Sequence, residues 1–291
     1  MKISKKILFI GSLVASSLLA DVATILPYGA SLKYDSDASG SAKDKGTIVG
    51  AYFSYGNLSY LFDIDISHTN IKYKNTLLND DLKQTDFTTT YSLYYPTYMF
   101  KFGIHHINTT DDDLGDGDTF ILGVGGYEFI KYDKFSYGLE GYVSKYNDGH
   151  DDSGVKKSIK VYQLSPYMSY SKAIDIHSRN NIDFKINYIN SDNFKDKDYS
   201  SFELSDTYYY DSYYINAKGY GGRMKAGVKD GGHTVYNTKD LYKSGYGLKL
   251  GYYAQKNLTF DMAYNYNKFQ ENGMTKDTHN SVWVATMRYS Y

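Results

Sequence analysis

An all-β chain, folded as one transmembrane antiparallel up-and-down β-barrel, is predicted by three features of the sequence. Apolar and polar residues alternate almost continuously, short and long connections take turns, and aromatic residues gather beside the short ones. The 291 residues include 35 Tyr, 14 Phe and 26 Gly, but only 3 Pro and no Cys. Without thiols the chain is neither a disulfide scaffold nor a cysteine-ligated metal protein. A content of 42% hydrophobic and 17% aromatic residues is too high for a disordered chain. Past the N-terminus no apolar stretch approaches the ~18 to 20 residues that a spanning helix needs.

The first element is a leader. Lys2, Lys5 and Lys6 precede an apolar stretch from Ile7 to Leu19 that ends in Ala20-Asp21. A basic start, a short apolar middle and a small residue at the junction are the marks of a secretory signal peptide over residues 1–20, with the barrel over 21–291. Removing those three lysines from 32 basic residues leaves 29 against 33 acidic ones. A mildly acidic mature chain has no electrostatic footprint for nucleic acid.

The strands follow. In Asn57 to Ser67, Leu58, Tyr60, Phe62, Ile64 and Ile66 share one face, whereas Ser59, Asp63, Asp65 and Ser67 share the other. Only a strand puts alternate residues on opposite faces. The same pattern recurs over 24–34, 46–56, 84–95, 97–108, 118–130, 134–146, 157–170, 179–190, 242–254, 258–269 and 279–291. Each run is near the 9 to 11 residues, or slightly more, of a tilted membrane-spanning strand. Between Ser191 and Leu241 the pattern weakens. A hairpin of Phe202–Ile215 with Tyr220–Val228 makes 14 strands, whereas an external loop there makes 12; the alternation of Tyr220, Met224 and Val228 favours 14.

Short links at Gly56-Asn57, Pro96-Thr97, Lys131 to Lys134 and Gln255 to Asn257 alternate with long polar ones such as Asp35 to Lys45 and Asn147 to Lys156. Tyr55, Tyr60, Tyr95, Tyr98, Phe135, Tyr137 and Tyr170 lie near the short links, where an interfacial aromatic girdle belongs. A soluble barrel of a dozen or more strands would have a lumen too wide to fill.

On these residues the chain resembles the outer-membrane β-barrel proteins of Gram-negative bacteria, porin-like channels in particular. The terminal strand carries part of that resemblance. Trp283, Met287, Tyr289 and Tyr291 look like the family's membrane-assembly signal, although Phe is its commoner last residue. The resemblance implies an outer-membrane location, contact with outer-membrane lipid and with the barrel-assembly machinery, and passive diffusion of small polar solutes. Monomer and homotrimer are both compatible with it.

Charges facing lipid cost a few kcal/mol each at mid-bilayer, so those on the polar face belong to the lumen. Lys33, Asp63, Asp65, Lys101, Glu140, Asp183, Lys185, Lys249, Asp261 and Arg288 are therefore expected to line a pore. Arg223 and Lys225, in the glycine-rich run of Lys218 to Leu241, would join them if that run folds inward and narrows the lumen. A wet lumen gives a channel; one closed by its own side chains gives a structural barrel that presents loops to partners.

No catalytic, metal or cofactor site is expected. The acidic run Asp111 to Asp118 does not meet the EF-hand spacing from any starting Asp and reads as a solvated loop. Asp63, Asp65 and His68 lack the second acidic pair that an outer-membrane protease would need. His177-Ser178 falls in or near a short turn, away from the rim where outer-membrane phospholipases act, and the remaining histidines have no ligand spacing.

Overall fold

The computed structural model describes residues 22–35, 37, 41–74, 81–111, 113–147, 149–151 and 153–291. The leader expected over 1–20 lies outside the described residues.

The strands are β1 (Val22–Tyr34), β2 (Lys43–Gly56), β3 (Tyr60–Tyr73), β4 (Leu82–Tyr94), β5 (Tyr98–Thr109), β6 (Gly117–Ile130), β7 (Asp133–Tyr146) and β8 (Ile159–Ala173). They continue with β9 (Ser178–Asn190), β10 (Asp198–Tyr210), β11 (Tyr213–Met224), the two-residue β12 (Val228–Lys229) and β13 (Thr234–Val235), then β14 (Leu241–Gln255), β15 (Leu258–Gln270) and β16 (Thr278–Ser290). Fourteen of them form a closed antiparallel barrel in sequence order, and β12 with β13 makes a separate small hairpin. The barrel closes where β1 meets β16. Ala23 and Tyr291 exchange both backbone hydrogen bonds at 3.0 Å, and the pairing runs on from Thr24↔Ser290 to Tyr34↔Asn280.

The hairpin between Ser191 and Leu241 is present, with other bounds than the sequence suggested. Its turn is Asp211-Ser212, inside the tyrosine run, and Asp211 takes φ 46° there. Asp tolerates the left-handed conformation, so a two-residue turn forms without glycine or proline to announce it. The expected second strand, Tyr220–Val228, begins and ends earlier, at Met224, and 225–240 leaves the wall.

Short connections all lie at one rim and long ones at the other, as the sequence asymmetry implies. Tyr95 and Tyr98 stack at 4.6 Å beside a short turn, as part of the aromatic girdle. Outward positions through the middle of the wall are apolar and open: Leu122, Leu250 and Met262 are 66, 54 and 57% exposed. Such a band suits hydrocarbon and nothing else.

Two outcomes follow from this wall. Leu250→Arg should destabilise the barrel by ~2 to 4 kcal/mol in lipid vesicles if that site is near the midplane, read from reversible urea unfolding. Cysteines placed at Asp151 and Gly273 should react with an impermeant reagent on whole cells, and cysteines at Asn57 and Lys256 should not; the reverse pattern would invert the barrel in its membrane.

Candidate functional site

The lumen is organised by the stretch after β11. Gly222 takes φ +116° at a bulge in β11, and a Cβ there would lie 2.5 Å from the Ser200 carbonyl oxygen. Only glycine fits that close approach with that dihedral. The chain then turns inward through Ala226 (φ 52°) and runs down the lumen as the β12–β13 hairpin, closed by a 3-10 turn over Asp230–Gly232. At the hairpin's open end the Tyr236 amide donates to the Gly227 carbonyl at 2.9 Å.

Wall side chains hold the hairpin. The Gln163 amide donates to the Val228 carbonyl at 2.8 Å and accepts from the Val228 amide at 2.7 Å, standing in for a strand neighbour. Lys101 Nζ donates to the Gly231 carbonyl at 2.5 Å. Gly232 rests on Ile121, whose Cδ1 would be 2.2 Å from an added Cβ. The His233 ring meets Tyr52 edge-on at 5.6 Å, and its Nδ1 is 3.7 Å from Asp65 Oδ2. The segment's far end is locked by the buried pair Lys43–Asp240 at 2.6 Å. Lys239 reaches Asp113 at 3.8 Å, and Asn272 Nδ2 also donates to Asp113, at 2.8 Å.

Around this segment the lumen divides into two halves. Toward the long-loop rim, Met224, Ala226 and Val228 pack against inward residues of the wall, among them Ile107, Tyr146, Ile159, Ile189 and Phe269, all essentially inaccessible. This half is a dry apolar core. The other half holds a cavity of about 720 Å³ bounded by β7 to β11, β14 to β16 and the hairpin. Four carboxylates (Glu140, Asp183, Glu203, Asp230) and four ammonium groups (Lys185, Lys218, Lys229, Lys249) line it, with Tyr220, Tyr236, Asn216 and Asn267 between them.

Most of these charges are spent on each other. Lys185 donates to Glu140 at 2.7 Å, as does Tyr142 OH, and Lys101 stands 3.8 Å from the same carboxylate. Lys229 lies 3.8 Å from Glu203 and 3.6 Å over the Tyr220 ring; Lys249 is 3.4 Å from Asp261. Pairing of this kind keeps partly buried charges affordable. Asp183, Lys218 and Asp230 differ, since no side-chain ion pair is formed by any of them among the described residues; Asp230 accepts from Thr234 at 2.9 Å, and Lys218 is the cation that acts most strongly on it. Asp183 and Lys218 occupy one cross-strand row, Asp183↔Ser205↔Lys218, on the lumen face.

Several residues singled out by the alternation do face inward. Asp63 accepts from Tyr52 OH and from Thr90 at 3.0 Å; Asp65 accepts from Tyr28 OH at 3.0 Å. Asp261 accepts from Tyr214 and from Thr286 at 2.9 Å, and Arg288 shares the inner face with Thr286. Lys33 is a correction. It faces outward at the long-loop rim, because Leu32 and Tyr34 beside it turn inward to join the apolar core. Beside Lys33 the inner positions are apolar and the outer ones polar, so the rule that reads polar as inward inverts there; Lys43, which does turn inward at that rim, is paired with Asp240. Arg223 is a second correction. It sits half-exposed on the rim, paired with Asp196 and over the Tyr199 ring, away from any constriction. Lys225 is buried at the start of the inward segment, 4.5 Å over the Phe194 ring.

Sequence reasoning missed Asp230 and His233 as lumen groups, along with Gln163, whose role depends on a segment 65 residues away. Among the described residues of the acidic run, Asp116 accepts from the Thr109 amide at 2.7 Å and Asp118 from His106 at 2.8 Å. His177 bonds Asp211 at 2.7 Å between two short turns.

No protein-family model matches the chain, and no curated protein matches it in sequence. Solved structures match its fold. CymD, a monoaromatic hydrocarbon channel, superposes with a TM-score of 0.54 at 7% identity, covering 100% of this chain and 93% of that one. Two deletion mutants of TodX (deltaS2 and deltaS2S3), also a monoaromatic hydrocarbon channel, superpose at 0.50 and 0.51 with 11 and 10% identity; each match covers 93% of this chain, and 89 or 90% of the TodX chain. The fold is therefore that of the outer-membrane β-barrels.

Burial, reinforced by the neighbouring Asp113, pushes the Asp111 carboxyl up to about 6. The folded protein thus binds this proton more tightly than the unfolded chain. The stability so contributed is complete below the ordinary carboxylate range and is lost as pH rises through about 6. Asp111→Asn should remove this pH dependence, on the order of 1 to 3 kcal/mol between pH 4 and pH 7.5, measured as the difference in unfolding free energy between variant and wild type.

Proposed function

We propose that this protein is a channel in the outer membrane of a Gram-negative bacterium, passing small hydrophilic solutes by diffusion through a lumen that the 225–240 segment constricts. The observation that carries the reading is the charged cavity of about 720 Å³ inside a closed barrel. A drug-sized ligand fits such a volume. Solutes for this lumen are polar. An apolar molecule would have to displace water from eight charged side chains and return nothing to them. In this respect the reading departs from CymD and TodX, which are monoaromatic hydrocarbon channels. The protein has no catalytic step in this reading; its partners are outer-membrane lipid along the apolar band, the assembly machinery at the terminal strand, and the solute.

Asp183 and Lys218, which face the cavity outside its ion pairs, are the groups that a passing solute meets. A second reading, a barrel with a closed lumen, draws on the dry core packed around Met224 and Val228.

Conductance of the refolded protein in planar bilayers separates the two. Because Gly227 and Tyr236 are already hydrogen-bonded to each other, the hairpin between them, Val228 to Val235, can be excised with little rearrangement of its ends. Wild type should conduct, and the excised variant should conduct at least about twofold more. Asp183→Asn should move the reversal potential toward anion preference and Lys218→Gln toward cation preference, because fixed charge acts on ions where the lumen narrows. A silent wild type with a conducting excised variant would support the closed barrel.

A further inference from the structure

The outward face at the long-loop rim holds an arrangement that a free-standing barrel would avoid. Lys33 of β1 lies directly opposite Lys45 of β2, and Lys45 directly opposite Lys72 of β3. Lys83 of β4 stands opposite Asn70, one outward position along from Lys72. All four are exposed, and none forms an ion pair among the described residues, although Asp35, Asp44 and Asp81 are close in sequence. Directly opposed like charges destabilise a pair of strands. Here three lysines succeed one another across adjacent strands, about 4.8 Å apart at each step.

The ladder's height suggests its purpose. Below it on the same outward face come Ser31, Thr47 and Asn70; the next row sets Val49 beside His68 and Thr85, and the apolar Ile66 and Phe87 follow. Lys45 is four residues from Val49, roughly 10 Å along the membrane normal for a tilted strand. That places the ammonium groups above the hydrocarbon, at the level of the headgroups.

We propose that Lys33, Lys45, Lys72 and Lys83 form a binding site for the phosphate groups of a phosphorylated glycolipid in the surface leaflet. Several ammonium groups in a row match a headgroup that carries more than one phosphate. Each phosphate also removes the repulsion between the lysines that flank it. The site lies on the lipid side of the wall and is independent of whether the lumen conducts.

The test compares wild type with the triple variant Lys33→Gln/Lys45→Gln/Lys72→Gln, both in full-length mature form. Each is refolded into vesicles of phosphatidylcholine alone, or of phosphatidylcholine with one fifth lipid A. In phosphatidylcholine at low salt the triple variant should be at least as stable to urea as wild type, because repulsion has been removed. Lipid A should lower the unfolding equilibrium constant of wild type about tenfold or more and leave the variant nearly unchanged; half-molar salt should erase the gain. Equal gains in both proteins, or none in either, would overturn the proposal. So would an equal gain from inorganic phosphate in phosphatidylcholine alone, which would assign the ladder to a soluble anion. Should the triple variant not refold, lipid A retained per barrel by native mass spectrometry decides the question. Wild type should then keep more than Lys45→Gln, and equal retention would count against the site.

Discussion

Every feature of this molecule depends on one requirement: in hydrocarbon, each backbone amide and carbonyl must find a partner within the protein. The two ends of the sheet therefore have to meet, and the Ala23–Tyr291 hydrogen bonds show them doing so. Closure removes the sheet edge and fixes the register of the whole wall, since slipping one strand by a residue would turn its lysines and carboxylates to lipid. Closure with fourteen strands also creates a problem of its own. The interior is wider than wall side chains can fill.

The 225–240 segment answers that problem. Its entry requires a glycine at the β11 bulge, where any larger residue would collide with the Ser200 carbonyl. Once inside, its own backbone groups need partners, and Gln163 and Lys101 supply them from the wall. The segment sorts the lumen into a dry part and a polar part. Met224, Ala226 and Val228 meet inward isoleucines on one side of it. On the other side, Lys229 and Asp230 face a cavity where Glu203, Lys185 and Glu140 also project. Burial drives the first half together, and the second half keeps a cavity lined by charges that are mostly paired.

The same segment explains the lysine ladder. Where β1 to β4 pack inward against the apolar core, their inner positions are taken by Leu32, Ile71 and Leu82. Lys33, Lys72 and Lys83, beside these positions, take the outer face; of the two lysines of β2, Lys45 faces out and Lys43 is buried against Asp240. The outer face near the long-loop rim is consequently basic, while the middle of the same face is apolar. Core packing inside the barrel and the chemistry of its lipid rim are two consequences of one alternation, read from opposite sides.

What the sequence by itself determined was the barrel. The period-two pattern of Asn57 to Ser67 and its counterparts, the asymmetry of connections and the placement of Tyr95 and Tyr98 are local properties, and local properties survive folding unchanged. They also located the inward faces of Asp63, Asp65, Lys101, Glu140, Lys185, Lys249 and Asp261 through the middle of the wall, where lipid outside forces polar residues in. Tertiary structure alone decided what happens at the long-loop rim and inside the lumen. Lys33 points outward and Arg223 stays on the rim because, at that level, a segment distant in sequence fills the interior and lipid no longer sets the polarity of each face. The course of 225–240 was unreadable for the same reason: glycines permit a turn without directing it, and the partners that direct it, Gln163, Lys101 and Lys43, belong to strands brought together only by closure of the barrel.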